Sequence, residues 1–153
     1  MSVRVLNLLD GEPGEPEGAE RSVYRRLSVR PWLGAELIGC SLYELPAGVR
    51  PWPYHYHDNN EEWLVVVAGT LTLRTPAGVR ELAPGEVAGF PQGEAGTHAF
   101  SNQTGETVRV AIFSSLRQGS VIYPDSGKMG AGPPYDRHYF RLRDAVDYWD
   151  GED

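Results

Sequence analysis

Four side chains of metal-binding type fall into two short stretches. His55 and His57 stand two apart in Pro53-Tyr-His-Tyr-His57. Side chains alternate faces along an extended strand, so both imidazoles point the same way. The turn-prone triplet Asp58-Asn-Asn60 follows, then Glu61, Glu62 and an apolar run to Ala68. Glu62 lies five residues beyond His57, a spacing that would put it on the opposite face of one continuous strand. It joins the histidines only if the chain reverses at 58–60, which the composition there favours. A third imidazole, His98, precedes Ala99 and Phe100. Three histidines and a carboxylate suit borderline and hard divalent ions: Zn, Fe, Mn, Ni, Co or Cu. Spacing to His57 and to Gly69 selects Glu62 as the carboxylate ligand and turns Glu61 to the other, solvated face.

The elements that must position these groups are short strands. Leu37 to Leu45 reads as one, stopped by Pro46 and Gly48. Others are expected near 53–57, 61–68, 70–75, 79–82, 86–90, 97–101, 107–116 and 120–123. Explicit turns separate them at Thr75-Pro-Ala-Gly78, Ala83-Pro-Gly85 and Asn102-Gln-Thr-Gly105. Strands at this spacing predict a closed or sandwiched all-β fold. The unbroken apolar runs Leu64–Ala68 and Val110–Phe113 predict strands buried on both faces. Further out, Val3 to Leu8 alternates weakly as an edge strand would, and Ser22 to Arg30 reads as strand. Residues 10–20 hold Gly, Pro and Glu without an apolar anchor and predict a mobile loop. Residues 124–136 are again Gly- and Pro-rich, and 139–149 suit a short helix or an extended arm.

Composition narrows the classes. At 153 residues the chain suits one domain with a real core. A formal charge of −7 with no basic run excludes nucleic acid as an expected partner. The single cysteine, Cys40, permits no intrachain disulfide. Arg4 and Asp10 interrupt the place where a signal peptide would need its apolar core, and no stretch has the roughly 18 apolar residues of a membrane span. A cytoplasmic protein without membrane partners is the expectation.

The two stretches resemble the paired signature motifs of the cupin superfamily. The first reads Gly48, six residues, His55-x-His57, four residues, Glu62, six residues, Gly69. The second reads Gly85, five residues, Pro91-x-Gly93, four residues, His98, three residues, Asn102. Relative to the usual pattern there is one extra residue before His55 and two before His98, in Gly- or Pro-rich places where added length costs little. Within that superfamily, Pro53–His57, Asn60–Glu62, Phe90–Gly93 and Tyr123–Lys128 are similar to small bacterial single-domain cupins.

The resemblance implies an all-β, mostly antiparallel, single-domain cupin jelly-roll β-barrel, also called a double-stranded β-helix. It would span 35–123, with an N-terminal extension over 1–34 and a C-terminal loop and arm over 124–153. It implies one divalent transition metal per chain (Zn, Mn, Fe or Ni) on His55, His57, Glu62 and His98, a small-molecule ligand or substrate, and a homodimer. The activities of such proteins include dioxygenases, decarboxylases and isomerases. A non-catalytic module for a sugar or carboxylate, and a structural or storage protein with a stabilising metal, are the alternatives.

Other residues receive local readings. Tyr54, Tyr56 and Trp63 should face away from the ligands, and Phe90 and Phe100 are candidates for the cavity wall. Asn102 should shape a turn. Arg74 and Arg109 read as exposed strand arginines that could otherwise reach a substrate carboxylate. Pro124 to Lys128 reads as a turn, Cys40 as a small core residue and His138 as exposed.

Overall fold

Alternating apolar residues and frequent Gly or Pro turns leave the chain little choice but short antiparallel strands, and every strand pairing observed is antiparallel. The computed structural model describes residues 3–18, 22–134 and 136–152. Its strands are β1 (Pro16–Glu17), β2 (Tyr24–Ser28), β3 (Gly39–Leu45), β4 (Tyr56–His57), β5 (Glu62–Ala68), β6 (Leu71–Thr75) and β7 (Gly78–Leu82). They continue as β8 (Val87–Phe90), β9 (Ala99–Ser101), β10 (Val108–Ser114), β11 (Val121–Tyr123), β12 (Lys128–Ala131) and β13 (His138–Arg141).

One wall is a six-stranded sheet in the order β1-β2-β3-β10-β5-β8. The rest forms two smaller sheets, β7-β6-β9 and β13-β12-β11-β4. An isolated bridge between His55 and His98 joins them, with backbone bonds of 3.0 and 2.8 Å exchanged in both directions. Two of the four expected ligands are therefore the seam that closes the second wall.

The core lies between the walls. Leu45, Leu64, Val66, Val108 and Val110 from the large sheet meet Leu71, Leu73, Leu82 and Phe100 from the other. A second cluster covers part of the large sheet's outer face. There Val29, Leu42 and Ala111 are buried, with Leu6, Leu8, Val65, Val67 and Phe113 packed around them. Burial on both faces thus holds for the middle of β5 and β10, while Trp63 and Ala68 at the ends of β5 are exposed. The β5–β6 turn needs Gly69. Its φ is +79°, and a Cβ there would press to 3.0–3.2 Å of Thr107 and Val108.

Several expectations for the chain ends are corrected. Val3 to Leu8 is not a strand. Asn7 draws the chain into a turn by accepting from the Leu9 N–H through its side chain and from Gly11 N–H through its carbonyl. The strand expected over Ser22–Arg30 stops at Ser28 and passes into a one-turn helix, α1 (Val29–Leu33). Pro31 is tolerated in that first turn, and left-handed Gly34 closes it by donating to the Pro31 carbonyl. The 10–18 part of the expected mobile loop is tied down: Arg25 donates to Pro13 and Gly14 carbonyls, Gly14 N–H donates to Arg26, and β1 pairs with β2. Polar anchors did what apolar ones were needed for. Ala19 and Glu20 lie outside the described residues. Past Tyr123, the Gly-rich stretch contains β12, and the residues after it form β13 and a short 3-10 turn, the extended alternative of the two expected for 139–149. The turn at Pro124–Ser126 is observed, with left-handed Gly127 ending it.

Candidate metal centre

His55 and His98 are held by the same local device. The Nδ1 of His55 lies 2.8 Å from the Pro53 carbonyl oxygen, and that of His98 lies 2.9 Å from the Gly96 carbonyl oxygen. A carbonyl can only accept, so each Nδ1 carries the proton and each Nε2 keeps its lone pair. Glu62 opens β5 on the facing wall, opposite Phe90 and Ser114. The reversal at 58–60 brings it back to the histidines, as its odd spacing required. Ligand atoms of His55, Glu62 and His98 lie within 4.8 Å of one another. His57 joins through Glu62: its Nε2 is 3.3 Å from Oε2, and the His98 Nε2 is 3.7 Å from the same oxygen. The rings of His57 and His98 lie 5.1 and 4.7 Å from that of His55. His55 and His98 with inward Nε2 lone pairs, beside His57 and one carboxylate, make a donor set that fits a divalent transition metal.

The electrostatics point the same way. Burial, and then charge on His98 and His57, pushes His55 down to about 4. Burial also lowers His98. Burial alone would raise Glu62, but a hydrogen bond from His57 and the surrounding imidazoles hold it below the usual carboxylate range. His55 and His98 are thus held toward neutral imidazole and Glu62 toward the ionised carboxylate, the protonation states metal ligation needs.

A cavity of about 320 Å³ opens on this group. Phe90 is part of its wall and stacks on His98, with centroids 3.7 Å apart and planes at 8°. Phe100 is not: it is core, edge-on to Trp52 at 5.4 Å. Tyr54 and Trp63 face away as expected; Tyr54 lies beneath Arg74, which also holds Asp125 in two bonds of 2.6 and 2.9 Å. Arg109 is neither exposed nor in the cavity. It is half-buried between Glu44 and the carbonyls of Leu8 and Leu9, and so straps the N-terminal segment to β10. Asn102 is fully buried and shapes the turn after β9. His138 is exposed, Glu61 likewise, and Cys40 is half-buried with its thiol pushed up to about 11 by burial.

The cavity also contains Tyr123, which opens a stretch noted for its resemblance but was given no role, and three residues that sequence reasoning did not single out: Tyr43, Arg137 and Tyr139. Arg137 and Tyr139 come from the C-terminal segment, which no motif marks. The one available hint was the apolar pair Tyr139-Phe140, suited to a strand that the preceding glycines obscured.

Fold and site together define a small antiparallel β-barrel with a histidine–carboxylate cluster inside its cavity. The Cupin_2 family (cupin domain) matches residues 41–114, and that stretch is a cupin domain. No curated protein sequence matches it. Among solved structures, a protein from Acidithiobacillus ferrooxidans provisionally named a sugar phosphate isomerase aligns at a TM-score of 0.81 and 24% identity, over 94% of this chain and 95% of that one. A sugar phosphate isomerase of the cupin superfamily from Silicibacter pomeroyi aligns at 0.79 and 22% identity, over 96% and 98%. A polyketide cyclase from Streptomyces resistomycificus aligns at 0.57 and 24%, over 76% and 81%. At these identities the likeness establishes the fold. The near-full coverage of the first two includes both chain ends outside the matched family region.

Proposed function

We propose that the chain is a metal-dependent enzyme acting on a small oxygen-bearing molecule, with His55, His57, Glu62 and His98 as the ligands of one divalent transition metal. The convergence of His55, Glu62 and His98 within 4.8 Å inside a cavity carries this reading. Such a metal supplies Lewis-acid polarisation of a substrate oxygen. The protein's own part is to hold the ligand lone pairs inward through the Pro53 and Gly96 carbonyls, and to enclose the substrate between Phe90, Trp52 and Tyr123. Of the dioxygenase, decarboxylase and isomerase types, isomerisation is favoured by the names of the two full-length structural neighbours.

One observation favours a second reading, a non-catalytic binding module. Among the described residues lining this cavity, no imidazole or carboxylate exists beyond the four assigned as ligands. Two of its tyrosines, Tyr43 and Tyr123, are poor candidates for a base, since burial pushes both up to about 12.

Metal analysis of untagged protein, followed by turnover on sugar phosphates, 1,3-diketones, aromatic diols and oxalate, separates the two. The enzyme reading expects about one metal per chain, lost in Glu62→Ala and His98→Ala but kept in Glu61→Ala, together with turnover of one compound class. Metal without turnover supports the binding module. No metal after refeeding with Zn, Mn, Fe and Ni removes both the ligand assignment and the enzyme.

A further inference from the structure

An acidic chain places four of its thirteen arginines around one cavity. The sequence has 21 acidic and 14 basic residues. Yet a second cavity, of about 590 Å³, is lined by Arg26, Arg30, Arg117 and Arg137, against the carboxylates of Glu36 and Glu62. This cavity and the smaller one share His57, Glu62 and Arg137, so the two form one continuous space. Glu62 is already engaged by His57 at 3.3 Å. The chamber next to the metal centre therefore has a surplus of positive charge inside a molecule of opposite sign, which focuses anions toward it.

Three of these guanidinium groups, those of Arg30, Arg117 and Arg137, keep donors beyond their structural contacts. Arg137 donates through Nη1 to the Gly119 and Gly130 carbonyls, at 3.1 and 3.3 Å. That fixes the side chain, and among the described residues nothing engages its Nη2 or Nε. Arg30 uses Nε on the Ala35 carbonyl, at 3.2 Å, and Arg117 is exposed on the segment after β10. Arg26 is ion-paired with Glu17 at 3.2 Å and contributes field rather than a free donor.

We propose that this chamber is an anion subsite that takes the phosphate of a small phosphomonoester. Arg137 is the anchor, Arg30 and Arg117 complete it, and the rest of the molecule extends toward His57 and Glu62. Several forked donors on one space suit a dianion with three acceptor oxygens better than a carboxylate, which a single guanidinium satisfies. The inference rests on the reading of the histidine–carboxylate cluster as the place of reaction, because it orients the substrate toward that cluster.

Calorimetric titration of the full chain with inorganic phosphate and with malonate, at low salt and both metal-free and metal-loaded, tests it. Phosphate should bind the metal-free protein, and Arg117→Gln and Arg137→Gln should each weaken it at least tenfold. Arg117→Gln should do so with an unchanged melting temperature, because among the described residues Arg117 has no hydrogen bond or ion pair to lose, whereas Arg137→Gln also cuts the strap between Gly119 and Gly130. Binding only to the metal-loaded form, binding undiminished in both variants, or tighter binding of malonate would each overturn the subsite. Phosphate binding to a protein that never takes up metal would sink the proposed reaction centre and leave the subsite standing.

Discussion

His55 and His98 each turn their Nδ1 onto a carbonyl two residues earlier, and the chemistry of the centre follows from that repeated contact. It selects the tautomer with an inward Nε2 and fixes the ring without recruiting another side chain. The cost is burial of ionisable groups. An unfolded histidine takes up a proton near pH 6.5, whereas folded His55 resists until about 4. Between those values the unfolded chain binds more protons, so stability falls as pH falls. The contribution is full above pH 6.5 and lost by about 4. For His55 it amounts to roughly 3 kcal/mol at most, and lowered His98 acts in the same direction. Urea unfolding of chelator-treated protein from pH 7.5 to 4.5 should show a midpoint that drops most steeply across this window, and His55→Gln should flatten the drop. A flat profile in the parent protein would mean that the imidazoles are solvated and the site is not formed as described.

At the scale of elements, two turns set the geometry. The short helical turn Glu94–Gly96 delivers the carbonyl that His98 needs. Gly96 packs so tightly there that a Cβ would overlap the Pro91 carbonyl oxygen and lie 2.9 Å from its carbon. Gly96→Ala should therefore cost about 1–3 kcal/mol and weaken metal uptake, read by denaturation and metal analysis on the same sample. Asn102 clamps the far end of β9. Its Nδ2 donates to the Leu45 and Glu106 carbonyls at 2.8 and 2.6 Å, while Oδ1 accepts from Thr104 N–H and hydroxyl at 2.9 and 2.7 Å. Asn102→Ala leaves buried carbonyls without partners and should cost about 1–3 kcal/mol, with metal stoichiometry retained in the folded fraction. Loss of metal at unchanged stability would make Asn102 part of the site instead. Both residues stood in the second motif, and the turn reading of Asn102 was legible from type and place. The collision at Gly96 was not, because it depends on how Pro91 packs.

For the whole molecule, the outer face of the large sheet is the unfinished surface. The second hydrophobic cluster covers part of it, but Ile38, Trp63 and Val87 are 59, 55 and 57% exposed around a groove whose remaining wall includes Val65 and Phe113. A homodimer, proposed from the family resemblance, would bury this apolar face. Light scattering on a sizing column should give a dimer at micromolar concentration, and Trp63→Glu should shift it to monomer without changing metal content. A monomeric parent protein would remove the proposal. Among the described residues no helix is long and apolar enough to cross a membrane.

What the sequence determined by itself was local. Strand positions followed from alternation and from Gly and Pro, and the shared face of His55 and His57 followed from a period of two. The need for a reversal before Glu62 followed from one odd spacing. Tertiary structure decided what distant segments meet. Pairing across 43 residues turned His55 and His98 into the seam between two sheets. The return of the C-terminal strands placed Arg137 and Tyr139 at the cavity, and packing sent Phe100 to the core and Arg109 to the N-terminal segment. A residue's type and spacing specify its backbone conformation and its face; its neighbours come from strand order and register, which depend on the burial of the whole core at once.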